Sequence, residues 1–178
     1  MAVPLVIVVA VPVALGIIAA ALLYFNPPIT GILDQSEGER QELIMSQEVR
    51  SGSNGYRQVD VIVNGIMLVA DVAATNEQRT KGLSVKSSLA ENEAMLFAFD
   101  NEAQHTFSMK DMKFPIDIIW IDTEKTVVHI EHNMQPCSSE FLCPTYKPVD
   151  DSLYVLETVG GFAEKHDIVN GTMVEFEL

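Results

Sequence analysis

Val59-Asp60-Val61-Ile62-Val63-Asn64-Gly65-Ile66-Met67-Leu68-Val69-Ala70-Asp71-Val72 is the stretch that decides the fold. Val59, Val61 and Val63 recur at every second position, the period of a strand with one buried face. Asn64-Gly65 follows, and both residues tolerate the positive φ that a tight hairpin turn demands. A second β-rich run then spans Ile66 to Val72. Two such runs around Asn-Gly are the strongest short-range signal for a β-hairpin.

Downstream, Thr75 opens a short helix, and Gln78 stands three residues later. That spacing is a capping box: the Thr75 hydroxyl accepts from the backbone while Gln78 reaches back. Gly82 is the natural stop. Met95 to Phe99 reads as a short buried strand, and Thr106 to Met109 as another. Ile116 to Ile121, IDIIWI, is a third, with a turn at 122–125 and a partner strand from Thr126 to Glu131. Leu153 to Val159 continues the pattern, Phe162 to His166 is one helical turn, and Thr172 to Leu178 alternates to the end. Many short strands with little helix imply a mainly β (α+β) domain. The expected form is a compact antiparallel sheet or barrel-like body with one or two short helices.

Ahead of that domain, Met1 to Phe25 contains no charged side chain. A helix of that length rises roughly 37 Å, against a hydrocarbon core of about 30 Å. The expectation is one transmembrane helix over 1–25, a linker or stalk over 26–55 and a β-rich domain over 56–178. A cleaved signal peptide is the competing reading, but no Lys or Arg precedes Arg40 and the apolar run is long for one. Asn26-Pro27-Pro28 stops the helix, and Ser51-Gly52-Ser53-Asn54-Gly55 is turn and linker chemistry. Flanking charges orient the span weakly. The two cysteines favour an oxidising compartment. The domain is therefore expected outside the cytoplasm, in a single-pass protein of the cell membrane.

The formal net charge is −14. No basic stripe exists to neutralise phosphates, which argues against nucleic acid and against anionic lipid headgroups.

The residues also carry a resemblance. Ala70-Asp71, Glu77 to Leu83, Met95-Leu96-Phe97, Phe107-Ser108-Met109-Lys110 and Pro115 to Asp122 follow one another in a specific order. Pro136-Cys137, Cys143-Pro144, Tyr146, Tyr154 to Glu157 and Gly161 complete it. From Val69 to Leu178 the chain resembles the DUF192 (UPF0127) family, small domains without an established function. It departs from the family's pattern at Ser84, Ala94, Ser108 and Gly171-Thr172, where Met, Gly, an aromatic residue and Gly-Asp are usual.

Lys110, Asp117 and Glu157 lie in the matching motifs. A charge inside an apolar strand needs a partner, because desolvating it alone costs several kcal/mol. One reading makes the three an acid–base set with a cation, and Arg79 joins them at a binding site. A structural salt bridge, or the exposed face of alternating strands, explains the same residues. His105, Met109, Met112, His129 and His132 form a soft-ligand set suited to copper, above all Cu(I). Packing accounts equally for Met109. Cys137 and Cys143 are the only cysteines. Outside the cytoplasm a structural disulfide is the default, with free thiols or a metal as alternatives. No P-loop, dinucleotide fingerprint, nucleophile elbow or HExxH motif occurs. The leading class is an accessory or binding module for a membrane-protein partner or a small envelope ligand. An enzyme using Asp117, Glu157 and Lys110 and a copper protein are the alternatives.

Overall fold

The computed structural model describes Gly52, residues 55–138 and residues 142–178. The expected spanning helix and most of the linker lie outside these residues. Among the described residues no helix is long and apolar enough to cross a membrane.

The opening hairpin forms as read. β1 (Arg57–Val63) pairs antiparallel with β2 (Ile66–Ala73), with Val63 opposite Ile66. Asn64 and Gly65 take φ of 47° and 77°, the left-handed pair that a two-residue hairpin requires. After β2 comes α1 (Asn76–Lys81), closed at its start by the capping box of Thr75 and Gln78. A 3-10 turn (Gly82–Val85) follows. Gly82 has φ 47° and ψ −143°, outside the regions that side chains permit, and a Cβ there would lie 3.3 Å from Phe97. The helix ends at this residue for that reason.

The chain then enters β3 (Glu93–Ala103), β4 (Phe107–Ser108), β5 (Ile116–Ile121) and β6 (Val127–Met134). β7 (Thr145–Tyr146), β8 (Ser152–Val159), α2 (Phe162–Lys165) and β9 (Val174–Glu175) complete it. Seven strands form one sheet in the order β6-β5-β8-β3-β2-β1-β9, and β4 pairs with β7 apart from it. The sheet curls into a half-barrel. At one end its edges meet, where Val127 donates to the Thr172 carbonyl and Val174 to that of Lys125.

Two expectations need correcting. The sheet is not wholly antiparallel, because β2 and β3 run parallel, with Asp71 opposite Met95. The connection carrying α1 and the 3-10 turn returns the chain to the same end of the sheet, and a parallel pair requires such a crossover. The last strand is also shorter than Thr172–Leu178. Only Val174 and Glu175 pair with β1, while the Thr172 carbonyl bonds to Val127 instead.

Both faces of the central strands are covered. Ala94, Leu96, Ile119, Ile121 and Leu156 pack on one side with β1, β2 and α2. Met95, Phe97, Ile118, Trp120 and Val155 pack on the other beneath the 3-10 turn and residues 105–112. Every residue of IDIIWI is therefore buried, Asp117 included. Such a two-sided strand reads as a continuous apolar run rather than an alternating one.

The Cys137–Cys143 disulfide is formed, with S–S 2.08 Å. Cys137 bonds through its backbone to Met109 and Asp111, so the bridge braces the strip 107–111. A loop this small yields about 2 kcal/mol from the restricted unfolded chain. Replacing both cysteines by serine is expected to lower stability by that amount. Thermal unfolding with and without dithiothreitol checks it: wild-type protein falls to the double variant's midpoint when reduced.

Candidate functional site

A cavity of about 600 Å³ opens on the second face of the sheet. α1 and the 3-10 turn form one wall, through Asn76, Arg79, Lys81 and Ser84. Residues 105–112 form the other, through His105, Phe107, Ser108, Lys110, Asp111 and Met112. Glu157 and Phe97 contribute from the sheet beneath.

Glu157 is the unusual member. It lies on β8 between Met95 of β3 and Ile118 of β5, and it is only 5% exposed. Its carboxyl has no hydrogen-bond or ion-pair partner among the described residues. Burial raises its pKa from 4.5 to about 8, so the group is protonated at neutral pH. A neutral carboxyl donates a hydrogen bond as well as accepting one.

Aromatic rings shape the wall. His105 stacks on Phe99 with centroids 3.5 Å apart, and Phe107 meets Phe97 edge-on at 4.9 Å. Burial holds the His105 imidazole below its ordinary value, and the Arg79 charge pushes the same way. Arg79 is 15% exposed and ties α1 to β3. Its guanidinium donates to the carbonyls of Ala74 and Ala98, each at 2.7 Å, and to Asn76 Oδ1 at 2.6 Å. It also lies 5.2 Å from the Phe99 ring centroid. Lys81 pairs with Glu77 at 2.7 Å. Lys110 has no side-chain partner among the described residues.

The sequence-derived set is thus divided. Lys110, Glu157 and Arg79 share the cavity. Asp117 does not join them. It stands opposite Thr158 while Glu157 stands opposite Ile118, and this offset of one residue sends the two carboxyls to opposite faces. Asp117 is fully buried and accepts from three backbone amides: Asn133 at 2.7 Å, Gly161 at 2.9 Å and Ala163 at 2.7 Å. It holds the β6 bend and the start of α2.

The soft-ligand set is divided as well. Met109 is fully buried core. His105 and Met112 line the cavity. His129 and His132 line a separate, more open cavity of about 780 Å³ with Glu164 and Asp167. A one-residue register shift in β6 between Glu131 and Met134 explains why two histidines three apart reach one side. Among the described residues no group of three or more His, Cys, Asp or Glu is placed to hold a metal.

Phe99, Phe107, Ser84 and Ser108 also line the site, and the sequence reading singled out none of them as functional. The two phenylalanines sit in strand-like runs and read as core. The serines have small side chains, which leave room in the cavity.

The family model DUF192, described as "Uncharacterized ACR", matches residues 59–176. The chain belongs to the DUF192 family. Two solved structures resemble this DUF192 domain. A protein of unknown function from Novosphingobium aromaticivorans is 29% identical, with TM-score 0.63, over 69% of this chain and 88% of that one. A putative transcription regulator from Sinorhizobium meliloti is 25% identical, with TM-score 0.61, over 68% of this chain and 95% of that one. No curated protein matches the chain.

Proposed function

We propose that this DUF192 protein is a membrane-anchored binding module, displayed outside the cytoplasm, whose cavity takes a small envelope ligand. The carrying observation is Glu157, a buried carboxyl that faces the cavity and has no partner among the described residues. A protein that desolvates such a group gives up stability, and a ligand that accepts its proton in a hydrogen bond recovers part of it. The apolar run Met1–Phe25 supports the anchor, and the Cys137–Cys143 bridge supports an oxidising compartment. Anchoring raises the module's local concentration beside a membrane-protein partner. The label of the Sinorhizobium neighbour does not extend to this chain, because a net charge of −14 opposes binding to nucleic acid.

General acid catalysis by Glu157 is a second reading. One observation favours it: the carboxyl stays protonated to about pH 8 and faces the cavity. Asp117 is not the companion base, since its oxygens are taken by backbone amides on the other face.

The test is native mass spectrometry of the full chain, extracted in mild detergent from its own membranes. Ser108→Trp, which places an indole in the cavity, is the control. A small-molecule adduct on wild type that Ser108→Trp lacks is the expected result. Protease added to intact cells is expected to remove the domain. A protein without adduct, carrying the same protein partner in both forms, overturns the small-ligand reading. A domain spared by protease overturns its placement.

A further inference from the structure

We infer that the cavity selects a small organic anion, a carboxylate or phosphate ester with a flat apolar body, held between Lys110 and the Glu157 carboxyl. This rests on reading the cavity as a ligand site. The chain is acidic, with 25 Asp and Glu against 11 Lys and Arg. Arg79, Lys81 and Lys110 nevertheless converge on this one cavity. Asp111 and Glu157 are the acids among the lining residues, and Glu157 carries no charge at neutral pH. Glu77 pairs with Lys81 and Asp100 lies 3.9 Å from Arg79, so the charges of those two are balanced and Lys110 carries the attraction for an anion.

The hydrogen bonds of Arg79 go to Ala74, Ala98 and Asn76, and Lys81 is held by Glu77. Lys110 has no such engagement among the described residues. Its ammonium is the charge left for a ligand. An anion gains from it, a neutral isostere gains little and a cation is repelled.

The stacked His105–Phe99 pair and Phe107 present rings along the wall. A planar apolar body fits against such a surface better than a branched or fully polar one. Glu157 lies below, where its proton reaches an acceptor oxygen of the ligand.

The experiment uses the full chain in nanodiscs and four probes that share a phenyl ring: benzoate, phenyl phosphate, benzamide and benzylamine. Saturation-transfer NMR measures their affinities at pH 7. Benzoate or phenyl phosphate is expected to bind at least tenfold tighter than benzamide and benzylamine, and the tighter of the two shows which anionic group the site prefers. Lys110→Gln is expected to weaken the anions about tenfold and leave benzamide unchanged. Glu157→Ala is expected to weaken them about fivefold, whereas Glu157→Gln, which keeps a donor, holds within about twofold. Benzamide or benzylamine binding as tightly as the anions, or anion affinity unchanged in Lys110→Gln, overturns the inference. If all four bind alike and Ser108→Trp abolishes them, the cavity reading survives and the anion preference falls. If none binds, or Ser108→Trp changes nothing, both fall.

Discussion

Glu157→Gln is expected to make this domain more stable at neutral pH, by about 3 kcal/mol. Wild-type Glu157 has a folded pKa of about 8 against an ordinary value of 4.5. Between those values the folded protein holds a proton that the unfolded chain has released. Each pH unit in that window therefore removes about 1.4 kcal/mol of stability. The contribution is complete below pH 4.5, declines as pH rises and is fully lost above about pH 8. Glutamine has nearly the same shape and does not ionise. The variant's advantage is therefore near zero at pH 4.5, about 3 kcal/mol at pH 7 and about 5 kcal/mol above pH 8. Urea unfolding at pH 5, 7 and 9 checks it, followed by the fluorescence of the single, fully buried tryptophan, Trp120. Parallel stability curves for the two proteins would show that Glu157 is ionised in the fold or has a partner there. Lys81, Lys110, Asp111 and His105 share the cavity and are unchanged in both forms, so the difference between curves isolates Glu157.

Local signals were the ones legible in the sequence. The Val59–Val72 hairpin needed only a period of two and an Asn-Gly pair, and its turn residues take the expected positive φ. The Thr75–Gln78 box depends on four neighbouring residues and forms as read. What failed was long-range. Nothing within β2 or β3 states that they run parallel, because that follows from how the crossover through α1 packs. Asp117 and Glu157 looked alike, each a charge within an apolar strand. Their fates differ because β5 and β8 pair with Ile118 opposite Glu157, and a strand's register comes from the whole sheet. The aromatic wall was hidden for a related reason. A phenylalanine in a strand-like run carries no mark of whether its ring meets core or cavity.

Asp117→Ala is expected to cost about 4 kcal/mol, the opposite sign to the change at Glu157. The Asp117 carboxylate is fully buried and has no cationic partner among the described residues, yet it is well satisfied. Oδ1 accepts from Asn133 and Gly161, and Oδ2 accepts from Ala163. Removing it strands three backbone donors, that of Ala163 fully buried and the other two part-buried, at about 1–3 kcal/mol each before relaxation. Gly161 is at φ 85° and α2 spans only four residues, so neither has much other support. Asp117→Asn keeps one acceptor oxygen but turns an NH2 toward a backbone N–H, and about half the loss is expected. Urea midpoints measure the cost, and hydrogen exchange at the Gly161 and Ala163 amides locates it. Binding separates this role from chemistry. Asp117 lies on the face opposite Glu157, so the folded fraction of either variant should hold a cavity ligand as tightly as wild type does. A variant that stays folded but loses the ligand would place Asp117 back in the working site and reverse the division drawn between the two carboxyls.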